Sequence, residues 1–326
     1  MNSNSNPYLK MAASGLLWIA VNTLTGSCSR QMTNSAGSDT AITGPATQAT
    51  PLLTLGLGNG VNLQPSYYNS GNVTFGWSLM QQNTKIRTVR IEIEPTVSIT
   101  TAKSWIQQAK NAGYGVIATY HKASVLGSDN ASDLTAAANW WKSNYSSLVA
   151  AGSFTINLMN EWGDHNLTAN AYASAYNSAI AIVRQVYSGT IIIDCPGWGQ
   201  ETHIAAQAIT GASGTRISDG NIVPSVHVYP NGWNQALNHT LQNSDLDDLA
   251  TAGKGGLIGE FGNSPSGSAN WSGIVTYAKS KGWTVLGWAW NGDGGSMNMV
   301  TPAWDSNPTA SSYSTSSYFS VIYNLL

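Results

Sequence analysis

The amino-acid sequence predicts an α/β protein, and two observations make a (β/α)8 TIM barrel the expected architecture. Short apolar runs alternate with amphipathic or Ala-rich stretches from residue 52 onward. Eight candidates of each kind fit into roughly 270 residues, which is the size and rhythm of such a barrel. A doubly wound sheet is the alternative, but it usually carries a Gly-rich phosphate loop after its first strand. The segment LGLGNGVN matches that loop only weakly.

The strand candidates are short apolar runs bounded by polar or Gly-containing segments. In chain order they are 53–58, 87–93, 115–120, 154–159, 190–194, 222–228, 256–260 and 284–290. The helix candidates are 74–84, 98–112, 133–150, 168–187, 199–209, 244–252, 270–281 and 314–325. The second helix candidate has the clearest boundaries, because Ser98 can cap its start and Gly113 lies just past its end.

The N-terminal region has the composition of an export signal followed by a linker. Lys10 precedes an apolar stretch, and the small residues after that stretch end at Cys28. This order of charged, apolar and small residues predicts a secretory signal over residues 1–28, so we expect a secreted protein. Lipidation at Cys28 is the alternative to simple removal of the signal. Residues 29–51, rich in Ser, Thr, Gly and Ala, predict a flexible linker, which leaves 52–326 as the single folded domain.

The composition excludes some classes of protein and favours one kind of ligand. Only 9% of the residues are charged and the net charge is −2, so a nucleic-acid-binding protein, which needs a basic surface, is excluded. No apolar run is long enough to predict a transmembrane segment. The 5 His and 2 Cys do not occur at metal-ligand spacing, so we expect no metal site, and we expect a monomer. An excess of Trp (13) over Phe (4) favours a ligand with apolar faces and hydroxyl edges, such as a sugar chain.

Polar side chains end several of the predicted strands. In a (β/α)8 barrel the active site lies at the C-terminal ends of the strands. The residues at those ends are Arg90, Tyr120, His121, Asn160, Glu161, Trp162, His227, Tyr229, Glu260, Trp288, Trp290 and Asn291. Glu161 and Glu260 belong to the fourth and seventh strands, from which they face each other across the barrel opening. Two facing carboxyl groups are typical of glycosidic-bond cleavage, with one as proton donor and the other as nucleophile or base.

Five motifs around these residues resemble family 5 of the glycoside hydrolases, in clan A. They are NLMNEWG, IIIDCPGWGQ, SVHVYPNGW, LIGEFG and VLGWAWNGDGG, and they occur in the family's order over roughly residues 52–300. Within the family, the chain is most similar to secreted microbial endo-β-1,4-mannanases. The resemblance implies a retaining mechanism that needs no cofactor, with Glu161 as the acid/base and Glu260 as the nucleophile.

The same resemblance implies a set of substrate-binding residues. They are Arg90, His121, Asn160, Trp162, Trp198, His227, Tyr229 and Trp290. Asn160 would hold the 2-hydroxyl of the sugar being cleaved, and Trp290 would be the stacking floor below that sugar. Arg90 and Tyr229 would contact the nucleophile and favour its charged form, so the acid/base would have the higher pKa. Trp198 fits either a distal subsite or the core. A retaining enzyme places its two carboxyl groups about 5–5.5 Å apart.

Structural interpretations remain open for these residues. Arg90 is flanked by apolar residues and could serve only as the buried partner of Glu92 or Glu94. The two predicted His residues could be satisfied core residues. Glu161 could complement the dipole of the helix that follows it, and Glu260 could be an ordinary member of a buried ion pair.

The expected substrate is a β-linked polysaccharide of the mannan type. Trp162 follows the acid/base where many relatives, including most cellulases, have Pro, and the mannanase group shares this Trp. We expect its flat indole to suit a manno-configured ring. The segment GNSPSGSANW after the nucleophile departs from the mannanase pattern, which keeps an endo-β-1,4-glucanase as the alternative. A non-catalytic polysaccharide-binding barrel is a more distant alternative, because both Glu residues are present.

Overall fold

The computed structural model of the protein describes residues 55–326. The predicted export signal over residues 1–28, with Cys28, and the predicted linker over residues 29–51 lie outside the described residues. None of the helices in the described part of the chain is long and apolar enough to cross a membrane.

Eight parallel strands close into a barrel. They are β1 Gly60–Leu63, β2 Thr88–Ile93, β3 Gly115–Tyr120, β4 Thr155–Asn157, β5 Ile191–Asp194, β6 Ile222–Val228, β7 Leu257–Phe261 and β8 Thr284–Asn291. Each strand pairs with its neighbours in chain order, and β1 also pairs with β8, which closes the sheet on itself. The predicted (β/α)8 barrel is therefore confirmed, and the open doubly wound sheet is excluded.

Helices follow the strands along the chain, as the sequence predicts. They are α1 Trp77–Gln82, α2 Ile99–Asn111, α3 Ala131–Val149, α4 Ala169–Val183, α5 Pro196–Gly199, α6 Thr202–Thr210, α7 Asp245–Thr251, α8 Trp271–Ser280 and α9 Phe319–Tyr323. The Ser98 side chain accepts from the N–H of Thr101 and caps α2. Gly113 follows α2 with a φ of +91°, a left-handed conformation that favours Gly. Both predicted boundary signals of α2 are confirmed.

The first strand lies further along the chain than predicted. The apolar run 53–58 predicted it, but β1 begins at Gly60. Leu55 and Leu57 pack instead against the apolar residues at the lower end of the barrel lumen. Leu55 and Leu57 thus cover that end of the barrel, and hydrophobicity alone does not distinguish a covering segment from a strand.

Two further elements are shorter than predicted. The run 154–159 contains β4, which ends at Asn157. The predicted last helix, 314–325, begins with the two-residue strand Ser314–Thr315 and becomes helical only at α9. The early end of β4 allows the chain to turn at the mouth of the barrel, where the next residues carry the functional side chains.

Side chains from alternate strand positions fill the lumen in two parts. The lower layer is apolar and consists of Ile117, Ile192, Val223, Leu257 and Leu286. Above it lies the polar lumen, whose buried members are Asn62, Arg90, Glu92, Thr119, His121, Asn157, Asp194, Ser225, His227 and Glu260. Thr119, Asp194 and Ser225 each lie two residues after a member of the lower layer, so strand alternation places them on the same inner face.

Candidate active site

Charged side chains from different strand ends meet at the C-terminal mouth of the barrel. Glu161 follows β4, His227 lies in β6 and Glu260 lies in β7. One side-chain ligand atom from each of these residues lies within 4.8 Å of the other two. The two predicted carboxyl groups are therefore neighbours at the mouth of the barrel. The Glu161 side chain is 15% exposed and that of Glu260 is 6% exposed, so both are largely buried but keep some contact with solvent.

Arg90 is a buried cation that binds two carboxylates through one nitrogen. Its Nη1 lies 2.7 Å from Oε1 of Glu92 and 2.9 Å from Oε1 of Glu260. The side-chain carbonyl oxygens of three residues also accept from the guanidinium, namely Asn62, Asn157 and Asn160. Burial alone would lower the pKa of Arg90, but the surrounding carboxylates raise it. Arg90 thus makes both the predicted contact with Glu260 and the alternative structural pair with Glu92.

Glu260 is held ionised by its neighbours. The hydroxyl of Tyr229 donates to its Oε2 at 2.8 Å, and Nδ1 of His227 lies 3.6 Å from the same oxygen. Burial alone would raise the pKa of Glu260, but the charges of His227 and Arg90 and the hydrogen bond from Tyr229 hold it below its ordinary value. Arg90 and Tyr229 make the contacts that the sequence predicts. The environment favours the carboxylate, which is the form that a nucleophile requires.

Glu161 has the opposite environment. Burial raises its pKa, the hydrogen bond from Nδ1 of His227 at 3.0 Å opposes the rise, and the charge of Glu260 adds to it. The net effect is a raised pKa, so Glu161 keeps its proton to a higher pH than Glu260 does. Its backbone φ is +50°, in the left-handed region that is sparsely populated by residues with a side chain. Two neighbouring carboxyl groups with opposite pKa shifts are typical of an acid paired with a nucleophile.

His227 is a buried, positively charged residue. Burial alone would lower its pKa, but the negative charges of Glu260, Asp194 and Glu161 raise it to about 9. Its Nδ1 faces both Glu161 and Glu260, and its Nε2 lies 3.5 Å from Oδ2 of Asp194. The imidazolium therefore links the two catalytic candidates and is not an isolated core residue.

His121 is neutral, and it belongs to the same polar lumen. Burial lowers its pKa to about 3. Its Nδ1 lies 2.5 Å from the hydroxyl of Tyr67, and its Nε2 lies 3.4 Å from Oε2 of Glu92. Asn160 is fixed by the bond that its Oδ1 accepts from Arg90, so its side-chain N–H2 group is the donor that remains for a ligand. Both residues thus belong to the polar network around Arg90 and Glu92, and their contacts with a substrate stay predictions.

Two of the three predicted substrate-binding Trp residues point into the interior. Trp290 has no exposed surface, and its indole N–H donates to the carbonyl of Phe75 at 2.7 Å. Trp162 is 1% exposed and packs against the rings of Tyr172 and Tyr176. Neither indole has a face on which a sugar could stack. The predictions of Trp290 as the stacking floor and of Trp162 as a sugar platform are therefore wrong, because position near a strand end does not fix the direction of a side chain.

Trp288 is the partly exposed Trp of β8. It is 9% exposed and lies two residues after Leu286 of the lower layer, so strand alternation directs it toward the lumen. Its indole N–H donates to Oδ1 of Asp293 at 2.7 Å, which fixes the ring plane. Of the two Trp residues in this strand, Trp288 is the one with surface available for stacking.

Trp198 lies at the rim of the mouth, beside the acid/base candidate. It is 37% exposed, and its ring lies against Gly127, where a Cβ would come within 2.1 Å of the indole. The N–H of Gly127 donates to the carbonyl of Glu161 at 2.8 Å. Trp198 also contacts the ring of His165 at 5.3 Å. Trp198 is therefore not a core residue, and its place in a distal subsite stays a prediction.

Sequence reasoning missed residues that the structure places at the centre of the site. Glu92 was considered only as a structural partner of Arg90, Trp288 was named at a strand end but given no role, and Asp194 and Asn157 were not selected at all. Asp194 is the last residue of the apolar run 190–194, so it carried the same signal that selected the other strand-end residues.

The site can be assessed as a cation site, because Glu161, His227 and Glu260 could each offer a ligand atom. The imidazole of His227 has a pKa of about 9, so it is protonated at neutral pH, and a metal ligand must be neutral. A cation at this cluster would therefore have to displace the proton of His227.

A (β/α)8 barrel with two facing carboxyl groups at the ends of its fourth and seventh strands defines the glycoside hydrolase class. Comparison with known families agrees with this class. The family model described as "Cellulase (glycosyl hydrolase family 5)" matches residues 73–294, which is more than half of the chain. The chain belongs to glycosyl hydrolase family 5, as its motifs indicated.

Individual relatives are similar to this chain at modest identity. A mannan endo-1,4-beta-mannosidase of Cellvibrio japonicus is 27% identical over 205 residues, covering 60% of this chain and 46% of the relative. A mannan endo-1,4-beta-mannosidase of Streptomyces lividans is 28% identical over 189 residues, covering 55% and 47%. The matches thus span about half the length of these curated relatives. The catalytic domain of a mannanase from Streptomyces sp. SirexAA-E has the same fold, with a TM-score of 0.64 and 20% identity over 89% of this chain and 95% of that domain.

Proposed function

We propose that this protein is a secreted, monomeric, retaining endo-β-1,4-mannanase with Glu161 as acid/base and Glu260 as nucleophile. The observation that carries the mechanism is the carboxyl pair, whose oxygens lie within 4.8 Å and whose pKa values shift in opposite directions. Retaining glycosidases have carboxyl groups about 5–5.5 Å apart, whereas inverting enzymes need about 6.5–9.5 Å for an intervening water. The short separation favours the retaining reaction.

In the first step, the ionised Glu260 attacks the anomeric carbon of the sugar. The bond from that carbon to the leaving oxygen breaks, and Glu161 gives its proton to this oxygen. Arg90 and Tyr229 keep Glu260 charged and oriented until the new ester bond forms. The transition state resembles an oxocarbenium ion, so the carboxylate also stabilises its positive charge.

In the second step, the same residues act in reverse. Formation of the ester removes the negative charge of Glu260, so the pKa of Glu161 falls and it can accept a proton from water. The water oxygen bonds to the anomeric carbon, and the ester bond to Glu260 breaks. Two displacements at the same carbon retain its configuration. Trp288 takes the stacking position that the sequence assigned to Trp290, and Asn160 and His121 are placed to contact hydroxyl groups.

The proposed preference for mannan rests on the similarity to mannanases and not on a side chain that distinguishes the configuration of the sugar. Two relatives are named mannan endo-1,4-beta-mannosidase. The sequence argument from Trp162 gives no support, because its indole is buried. Mannan and glucan differ only in the axial or equatorial 2-hydroxyl, so an endo-β-1,4-glucanase is the second candidate. The family description, which begins with cellulase, favours keeping it.

The release of reducing ends from a panel of polysaccharides tests the proposal. We expect galactomannan or glucomannan to be cleaved at least about tenfold more efficiently than carboxymethylcellulose or mixed-linkage glucan, which is roughly 1.4 kcal/mol of discrimination. The anomeric configuration of the first product, followed by NMR, separately tests retention. Equal or greater kcat/KM on a cello-oligosaccharide than on the matching manno-oligosaccharide would favour the glucanase. An inverted product would refute the double-displacement mechanism.

A further inference from the structure

Asp194 is a buried carboxylate that the mechanism above leaves without a role. It is the last residue of β5 and has no exposed surface. Its Oδ1 accepts from the side-chain amide of Asn157 at 3.1 Å, and its main-chain carbonyl accepts from the hydroxyl of Tyr172 at 2.7 Å. These two bonds fix the carboxylate, so the direction of Oδ2 is determined by the barrel itself.

The fixed oxygen points at the backbone of the acid/base. Oδ2 of Asp194 accepts from the main-chain N–H of Glu161 at 2.9 Å. Glu161 has a φ of +50°, a conformation that persists only where its surroundings hold it. On the other side of the residue, the carbonyl of Glu161 accepts from the N–H of Gly127 at 2.8 Å. The main chain of Glu161 is therefore held by a hydrogen bond on each side. Of these two bonds, the one to Asp194 is the one that involves a side chain.

The same oxygen faces the second partner of the acid/base. It lies 3.5 Å from Nε2 of His227, and Nδ1 of that ring lies 3.0 Å from Oε1 of Glu161. Asp194 thus reaches Glu161 directly through a main-chain hydrogen bond, and its charge lies near His227 without an aligned hydrogen bond to that ring. Arg90 lies farther away, with 3.9 Å between its Nη2 and Oδ2 of Asp194.

We propose that Asp194 is a positioning residue for proton donation: it holds Glu161 in the left-handed conformation that presents the carboxyl group to the leaving oxygen. This inference rests on the proposed role of Glu161 as acid/base. Without Asp194, the main chain of Glu161 relaxes to a negative φ and its carboxyl group leaves the position beside His227. The nucleophile is not affected in the same way, because the hydrogen bonds that Glu260 accepts from Arg90 and Tyr229 do not involve Asp194.

The role has a kinetic signature that a purely structural residue lacks. An unactivated sugar needs a proton to leave, whereas 2,4-dinitrophenolate leaves without one. We expect Asp194→Ala to lower kcat/KM at least about tenfold on an unactivated oligosaccharide and less than about threefold on the 2,4-dinitrophenyl β-glycoside of the same sugar. We call this difference between the two substrates the split. Asp194→Asn keeps the shape of the side chain but offers one oxygen acceptor to the two N–H donors, those of Asn157 and Glu161. It should therefore show the same split with a smaller loss on the oligosaccharide.

Two reference variants make the outcome interpretable. Glu161→Ala should show the same split at larger amplitude; if it does not, the proposed acid/base role fails. Asp219→Ala removes a carboxylate that pairs with Arg184 at 2.6 Å in the loop before β6, so it should change the melting temperature without any split. The informative case is the one in which Glu161→Ala shows the split. If the Asp194 variants then lose kcat/KM equally on both substrates, or on neither, the positioning role is refuted while the proposed function stands. Unfolding of both Asp194 variants would likewise refute it, since the carboxylate would then serve only stability.

Discussion

The lower layer and the polar lumen of this barrel are built from the same strands but have opposite chemistry. The lower layer contains five aliphatic side chains, and Leu55 and Leu57 pack against it. The polar lumen buries Arg90 beside Glu92 and Glu260, where the charges of Arg90 and Glu260 are tolerated because they pair with each other. The comparison shows where the sequence serves stability and where it serves chemistry. A cavity in the lower layer should lower stability, and the loss of a catalytic carboxyl group at the mouth should lower activity.

The largest expected effect concerns the two carboxyl groups of the mouth. Glu260→Ala and Glu161→Ala should each lower kcat on mannan by several orders of magnitude, on the order of 5 kcal/mol or more in activation free energy. Neither should unfold the barrel, because the lower layer is unchanged. Azide should restore turnover of an activated glycoside by both variants, with an inverted product for Glu260→Ala and a retained product for Glu161→Ala. Either variant with more than about a tenth of wild-type activity would contradict its assigned role.

The matched change in the lower layer should act on stability alone. Leu257 is fully buried in β7, three residues before the nucleophile. Leu257→Ala removes methyl groups from a packed lumen and should lower the free energy of unfolding by about 2–5 kcal/mol. Well below the melting temperature, kcat should remain within about twofold of the wild type. A large loss of kcat in a folded variant would show that the two parts of the lumen are not separate in function.

The free energy of unfolding should depend on pH, because Glu92 is buried in the polar lumen and its ionisation is unfavourable there. Burial raises the pKa of Glu92 from 4.5 to about 8, so protonated Glu92 is favoured in the folded state. The corresponding stability is fully present below the unfolded-state pKa and is lost as the pH rises toward 8. Glu92→Gln removes this ionisation, so its free energy of unfolding should decline less between about pH 5 and pH 8, by on the order of 2 kcal/mol. Denaturant titrations at both pH values measure the difference, and identical declines would show that Glu92 is already ionised.

The same division explains which features the sequence predicted and which it did not. Strand and helix order followed from hydrophobic periodicity, because each strand is buried on both faces and each helix on one. Glu161 and Glu260 could be selected as catalytic candidates because they are polar residues at the ends of strands. The directions of Trp162 and Trp290 could not be predicted, because they depend on how the chain turns after β4 and within β8. Glu92 and Asp194 could be recognised only from three-dimensional contacts. These contacts show that Glu92 binds Arg90 and that Asp194 accepts from the main-chain N–H of Glu161.

The smallest expected effect concerns Trp198, which belongs to neither part of the lumen. Its indole lies at the rim, 37% exposed, next to the loop that carries Glu161. Loss of one stacking surface for a sugar beyond the cleaved bond should cost about 1 kcal/mol, or roughly a fivefold rise in KM for Trp198→Ala. Neither kcat on short substrates nor the melting temperature should change by much, because the ring packs at the surface, against Gly127 and His165, and not in the lumen. Trp162→Phe is the matched control: its buried indole donates to the carbonyl of Asn130 and packs on Tyr172, so it should lower the melting temperature and leave KM unchanged. If instead Trp162→Phe raised KM and Trp198→Ala did not, the sugar would run along the opposite side of the mouth, and the original expectation for Trp162 would be restored.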